Sequence, residues 1–399
     1  MRDRKASAGF AKLLFLAVVL ALCLVAGQAF AAKNIILMIG DGMGVGQTNA
    51  GSYYLTGAVG GLCFQPYYRG TVRTANISGG VTDSAAAATA LATGHKVNNG
   101  VISQAPNGTP YQTILEQAKA LGKRIGLVTT VSSSDATPAG FGAHEADRGN
   151  TAGIIGDYLN SSMPNIIFGG GSGGYNASQF TNKGYQVVYN YTQMNALNSA
   201  TTALALGLFA SGDMTYEYDR LVGNTEPHLT QMATKSLSIV ANDPDGFFIM
   251  IEGGLIDHAC HNSNINRCTR EVVEFNNSVQ AVLNWMQGRN DTLLIVTADH
   301  ETGGLSVTGN GAGNYPTATW TGGGGHTGAN VPIYVYGANS NLINNYLVGG
   351  AMENTDVYQF MNAALNTPVP EPSGIVVCST GLFFLCAAAR SRIGRIGQK

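Results

Sequence analysis

Six short apolar runs rich in β-branched residues recur along this chain with helical stretches between them, and that alternation leaves few folds open. The runs are Asn34–Ile39, Arg124–Thr130, Asn165–Phe168, Gly246–Ile251, Thr292–Thr297 and Val331–Tyr336. Each is of strand length and apolar enough to be buried on both faces. Between them Thr113–Leu121, Leu229–Ala241 and Thr269–Met286 space their apolar residues at three and four, the pattern of a helix with one buried face. Strand alternating with helix predicts an α/β fold, a mostly parallel central sheet covered by helices on both faces. In such sheets ligands bind beyond the carboxyl ends of the strands. The acids stand there: Asp41 follows the first run, Glu252 closes the Gly246 run and Asp299-His300 follows the Thr292 run.

Both ends depart from this pattern. At the start, Arg2, Arg4 and Lys5 precede an apolar run from Leu13 to Ala26, and Ala29-Phe30-Ala31 supplies a small-residue cleavage pattern; together they read as an export signal over residues 1–31, cut after Ala31. At the other end a Pro-rich stretch, Thr367 to Pro372, leads into an apolar run from Ile375 to Ala389 and then Arg390, Arg392 and Arg395. The apolar run is shorter than the roughly 20 residues of a spanning helix. This order, headed by Val369-Pro370-Glu371-Pro372, resembles the PEP-CTERM sorting tails of Gram-negative bacteria. The resemblance implies processing by an exosortase; a short anchor kept in the inner membrane is the alternative. The expected layout is therefore a signal peptide (1–31), a catalytic body (32–367) and a sorting tail (368–399), exported to the periplasm or cell surface.

Composition narrows the partners. Only 12% of residues are charged and the net charge is -2, against about 25% charged in an average domain, and no basic stripe offers a footprint for nucleic acid. Small substrates fit better. The 53 glycines predict long uncharged loops. Of six cysteines, the body keeps Cys63, Cys260 and Cys268, an odd number that rules out a full disulfide framework; Cys260 and Cys268 are near enough in sequence for a local bridge after export.

Four motifs carry chemistry. Around Asp41 the sequence is I-G-D-G-M-G, in which glycines allow a sharp turn that presents one carboxylate; the alternation of Gly40, Gly42, Gly44 and Gly46 does not match a dinucleotide loop. T-D-S-A-A-A-A-T-A-L-A-T-G, Thr82 to Gly94, reads as an Ala-rich helix with Ser84 at its start. A serine there is an N-cap or, equally compatible, a group whose phosphate ester would meet the unpaired N–H groups of the helix end. E-G-G-L-I-D-H-A-C-H runs from Glu252 to His261, with Asp257 and His261 four apart and so on one helical face. Carboxylate and imidazole at this spacing suit zinc. Asp299-His300 and G-G-G-G-H-T-G around His326 add further donors, so four of the seven histidines, His258, His261, His300 and His326, fall in these elements. Singly, each reads as a structural histidine; the recurrence beside acids is what points to metal. Finally D-A-T-P-A-G-F-G-A-H-E-A-D-R, Asp135 to Arg148, places a hydroxyl, carboxylates and a guanidinium just past a strand. Arg148 can fork two hydrogen bonds onto a phosphate, or pair with Glu145 or Asp147.

Taken together, this order of motifs resembles the alkaline phosphatases from Lys33 to about Ala364, with T-G-H-K-V-N-N-G-V-I (Thr93–Ile102), G-L-F-A (Gly207–Ala210) and Y-E-Y-D-R (Tyr216–Arg220) as further signatures. The resemblance implies hydrolysis of phosphate monoesters through a phosphorylated Ser84, with Arg148 and Asp83 at the phosphate. It implies one zinc on Asp257, His261 and His326 and a second on Asp41, Asp299 and His300. A magnesium would be shared by Asp41, Thr137 and Glu252, with Asp135 and His258 just outside it at positions that vary in the family. The link from His300 to His326 is shorter than in many relatives, where a larger insertion contributes to dimer contacts, so a homodimer is a weaker implication. Two rivals remain: a phosphodiesterase or sulfatase built on the same metal-bearing sheet, and a silent surface binder of phosphate or metal.

Overall fold

The central strand, Asn34–Gly40, is buried along its whole length. Ile35 to Ile39 are fully inaccessible, each such side chain contributing roughly 1.5–3 kcal/mol by leaving water. Burial on both faces is what a parallel strand between two helical layers requires. Its neighbours Phe247–Gly253 and Thr292–Thr297 run parallel to it. The computed structural model describes residues 32–171 and 174–367; the export signal and sorting tail expected from the sequence lie outside the described residues. Ala32–Asn366 forms one compact unit.

Ten strands make the sheet. Across it the order is Ala351–Glu353, Tyr68–Arg73, Val331–Gly337, Thr292–Thr297, Asn34–Gly40, Phe247–Gly253, Arg124–Ser132, Ile166–Gly170, Ala205–Leu208 and Gln186–Val188. Only Val331–Gly337 runs against its neighbours, so the sheet is mostly parallel, as the alternation predicts. One group of helices, Ser84–Thr93, Ile114–Ala120, Ala136–Gly142 and Asn354–Asn366, packs together and on the central strands. A second, Val45–Thr56, Leu229–Val240, Leu255–His261 and Ile265–Trp285, does the same.

Element positions differ from the sequence reading in two instructive ways. The long helix begins at Ile265, not Thr269, because Asn264 accepts a hydrogen bond from Arg267 N and caps it. The Gly-rich link to His326 contains an antiparallel hairpin, Leu305–Thr308 with Thr317–Trp320, that packs on Val45–Thr56. Cys260 and Cys268 are neighbours but thiols: Cys260 donates to Cys268 Sγ at 3.4 Å, so the local bridge expected from their spacing is not formed.

Candidate metal centre and active site

The three central strands set the site through their register. Ile39 lies level with Glu252 on one side and Thr297 on the other, so Asp41, Glu252 and Asp299 emerge together although they are distant in sequence. Gly42 makes the turn after Asp41 possible. It sits at φ 67° and donates its N–H to Asp299 Oδ1 at 3.1 Å, and a Cβ there would stand 2.7 Å from Thr302 Oγ1 and 2.9 Å from Asp257 Oδ1.

Two clusters of donors converge there, each with its ligand atoms within 4.8 Å of one another. In the first, His261 Nε2 lies 3.0 Å from Asp257 Oδ2, and His326 Nε2 lies 3.7 Å from Asp257 Oδ1 and 3.1 Å from His261 Nε2. In the second, His300 Nε2 lies 3.1 Å from Asp299 Oδ2 and 3.5 Å from Asp41 Oδ1. Ser84 Oγ approaches the same nitrogen to 3.3 Å. Ligands that share one small cation stand roughly 3.3 Å apart, and the separations of 3.0–3.7 Å found in the two sets are of that size.

The imidazoles are oriented for the same purpose. His261 Nδ1 faces Gly324 O, His326 Nδ1 faces Thr82 O at 2.9 Å and His300 Nδ1 faces Thr302 Oγ1 at 3.2 Å. With Nδ1 engaged outward in each ring, the Nε2 atoms are the ones turned toward the carboxylates, the orientation in which imidazoles serve as metal ligands. Buried Asp41 Oδ1 and Asp299 Oδ2 find no hydrogen-bond partner, and no Lys or Arg forms an ion pair with Asp41, Asp257 or Asp299 among the described residues. Burial first, then the charges of Asp299, Asp257 and Glu252, pushes the Asp41 carboxyl well above the usual range. Burial likewise holds His300 below the ordinary imidazole value. Asp257 is the exception: despite its burial, the His261 hydrogen bond and the His300 charge hold its carboxyl below the usual range.

The family profile for alkaline phosphatase matches residues 32–322. The chain belongs to the alkaline phosphatase family. It is 35% identical over 300 residues to alkaline phosphatase 3 of Bacillus subtilis, a match covering 71% of this chain and 64% of that protein. The cold-active alkaline phosphatase of Shewanella sp. superposes with a TM-score of 0.75 at 30% identity, covering 84% of this chain and all of the other. A histidine-to-aspartate variant of the Antarctic TAB5 alkaline phosphatase, with Mg bound in its M3 site, gives 0.71 at 26% identity over 85% of this chain and 99% of that one. The chain thus spans a little under two thirds of the first Bacillus relative's length.

Around the two donor clusters the remaining residues fall into three groups. Asp41, Thr137 and Glu252 offer oxygen alone. Thr137 Oγ1 is buried without a partner of ordinary geometry, and Glu252 accepts from Thr129 Oγ1 at 2.6 Å. Burial is the main reason the Glu252 carboxyl is pushed up to about 8, and the charges of Asp135 and Asp299 add to it. Arg148 pairs with Asp135 at 2.8 Å and Asp83 at 3.4 Å, not with Glu145 or Asp147. Burial works against its charge, but Asp135, Asp83 and Asp41 together hold it more firmly protonated than usual. His258 pairs with Asp213 at 3.1 Å, and that hydrogen bond pushes it up to about 9.

The start of the Ser84 helix shows a division of labour. Asp83, not Ser84, is the N-cap: its side chain accepts from Ala86 N at 2.9 Å and from Gly100 N at 2.9 Å. Ser84 is the first helical residue and keeps its hydroxyl free of capping. Sequence reasoning missed Thr129, Asp213 and, most of all, Gln47, Glu301 and Thr302. Thr302 Oγ1 donates to Asp257 Oδ1 at 2.5 Å while facing His300, so it ties the two clusters together. The one signal available was the adjacency of Glu301 and Thr302 to Asp299-His300.

Proposed function

We propose that this chain hydrolyses phosphate monoesters to an alcohol and inorganic phosphate through a phosphoserine on Ser84. The observation that carries this reading is the Ser84 hydroxyl, uncapped at a helix start and 3.3 Å from His300 Nε2. Ser84 Oγ gives up its proton and bonds to phosphorus as the ester oxygen leaves with its electron pair and takes up a proton to become the alcohol. Water then attacks the phosphoserine, its oxygen joining phosphorus as the P–Oγ bond breaks, and the proton that water gives up matches the one that restores the serine hydroxyl. The first N–H groups of the helix lack intrahelical partners and favour the phosphate's negative charge. Arg148 keeps donors beyond its bonds to Asp83 and Asp135, and its planar fork matches two phosphate oxygens. Those two carboxylates fix the fork in place, so less freedom is lost when phosphate arrives.

Asp257, His261 and His326 would hold one zinc, Asp41, Asp299 and His300 a second, and Asp41, Thr137 and Glu252 a magnesium, with Asp135 and His258 beside it. When bound, these cations supply the positive charge that favours a serine alkoxide and offsets the charge of the transferring phosphate. The oxygen-only third set suits magnesium and the imidazole-bearing sets suit zinc. Mg bound in the M3 site of a TAB5 alkaline phosphatase variant supports the magnesium reading. The reading extends to an exported protein, with residues 1–31 removed and residues 368–399 serving as sorting tail for an exosortase, and to a second copy of this chain in a homodimer.

The test is phosphate release from an aryl phosphate with zinc and magnesium present, beside an aryl diester and an aryl sulfate. The wild type is expected to prefer the monoester, and Ser84→Ala to lower kcat/KM by at least about a thousandfold. Faster diester or sulfate cleavage, or a folded metal-loaded protein with no turnover, overturns the proposal.

A further inference from the structure

Glu301 follows His300 directly and its side chain is buried, yet it faces neither donor cluster. Its carboxylate has no Lys or Arg partner among the described residues, and its two oxygens are saturated by neutral donors. Oε1 accepts from Gln47 Nε2 at 2.9 Å and Leu305 N at 3.1 Å; Oε2 accepts from Gly304 N at 3.1 Å and Thr327 Oγ1 at 2.5 Å. A carboxylate offers about four acceptor positions, and all are used.

The origin of those donors gives the arrangement its meaning. Gly303 at φ 89° and Gly304 at φ 57° turn the chain so that two successive N–H groups point back at Glu301, a backbone path that side chains disfavour. Thr327 is the residue after His326 and lies opposite Glu301 in the two-stranded pairing that also sets His326 opposite Thr302. Gly303 N donates to Gly325 O at 2.8 Å, closing the same loop from the other side. Gln47 completes the clamp from the helix Val45–Thr56, its amide also donating to Thr302 O at 2.7 Å. One buried carboxylate therefore ties the first helix, the turn after His300 and the arm bearing His326.

We propose that Glu301 is a positioning residue that sets how long zinc stays on Asp257, His261 and His326. His326 arrives on a Gly-rich segment, Gly322 to Gly325; its ring is held by stacking on His300 and by Thr82 O, and the backbone that carries it is anchored through Thr327. Asp41, Asp299 and His300 instead stand at the ends of the buried strands Asn34–Gly40 and Thr292–Thr297, which position them from the N-terminal side, so the clamp bears on them less than on the His326 arm. The inference rests on the zinc assignment proposed above and adds to it a residue that touches neither metal nor substrate.

The experiment measures zinc release from the full-length protein into excess chromophoric chelator, with His326→Ala identifying the equivalent that belongs to its cluster. In Glu301→Gln, whose amide N–H would face donors, that equivalent is expected to leave about 10–100-fold faster, the usual effect of losing a partner behind a ligand. The other equivalent should leave within about threefold of its wild-type rate by the same reasoning. Turnover lost at limiting zinc should return at saturating zinc, which general misfolding would not allow. Thr327→Val, which removes one of the four bonds, should show a smaller acceleration of the same equivalent and serves if Glu301→Gln does not fold. Unchanged release in both variants, or equal acceleration of both equivalents, overturns the inference while leaving the zinc assignment intact. Wild-type protein that takes up no zinc overturns both.

Discussion

Two regions of this molecule bring a histidine and two carboxylates within 4.8 Å: Asp41, Asp299 and His300 at the strand ends, and Glu217, His228 and Glu274 at a helix edge. By donor geometry they are alike. They differ in what already satisfies them. At the strand ends Asp41 Oδ1 and Asp299 Oδ2 are buried with the single His300 Nε2 shared between them, at 3.5 and 3.1 Å, and no Lys or Arg intervenes among the described residues. At the helix edge Arg220 Nε lies 2.8 Å from Glu217 Oε1, His228 Nδ1 lies 2.8 Å from Glu217 Oε2, and Glu274 accepts from Thr230 N at 2.8 Å. Charge is balanced there by the protein itself, so a cation would displace existing bonds before gaining new ones. Unsatisfied buried oxygens, more than proximity of ligand types, mark a place built for metal.

The sharpest way to break this comparison is to remove one carboxylate from each region. Asp299→Ala is expected to lose one equivalent of zinc and to lower kcat/KM on an aryl phosphate by at least about a thousandfold. Glu217→Gln is expected to keep the full metal content, measured by elemental analysis after gel filtration, and to change kcat/KM by less than about threefold. Loss of a metal equivalent in Glu217→Gln would show that Arg220 does not close the second cluster.

Arginines sharpen the same contrast at smaller amplitude. Arg148 is 34% exposed and keeps donors free, whereas Arg220, 10% exposed, spends its guanidinium on Glu217 and the carbonyls of Glu226 and Pro227. Arg148→Lys retains charge but loses the planar fork, and a fall of about 10–100-fold in kcat/KM is expected. Arg220→Met should leave turnover intact and cost about 1–3 kcal/mol in denaturant unfolding by stranding a buried carboxylate. A large activity loss in Arg220→Met with normal stability would reverse the roles assigned to the two.

Much of this was legible in sequence because strands with both faces buried must be apolar throughout, and such runs are conspicuous: Thr292–Thr297 was delimited to the residue and Asn34–Gly40 to within one. The grouping of Asp257, His261 and His326, or of Asp41, Asp299 and His300, came through the family resemblance, and the structure brings each set together. What stayed hidden depends on long-range approach without periodicity. Nothing local in Gln47 or Thr302 shows that one reaches Glu301 and the other Asp257 across more than forty residues of chain. The short strand Gln186–Val188 was also missed, being neither long nor apolar enough to stand out. Asp83 took the capping role that Ser84 was equally fitted for because its longer reach also satisfies Gly100 N.

The smallest expected effect concerns the helix-edge cluster alone. The hydrogen bond to Glu217 raises the His228 pKa above its ordinary value, although partial burial opposes it. The folded protein then binds this proton more tightly than the unfolded chain, whose histidine titrates at about 6.5. Stability from the pair is therefore complete below that pH and fades as pH rises through the higher folded value. His228 is 44% exposed, so solvent screening keeps the effect small. Thermal unfolding of wild type and His228→Gln at pH 5.5 and pH 9 isolates it, because other groups titrate alike in both proteins. The gap in midpoint should be wider at pH 5.5 and nearly closed at pH 9. A gap of equal width at both would mean that His228 acts there as a neutral capping ring and that Arg220 alone balances Glu217.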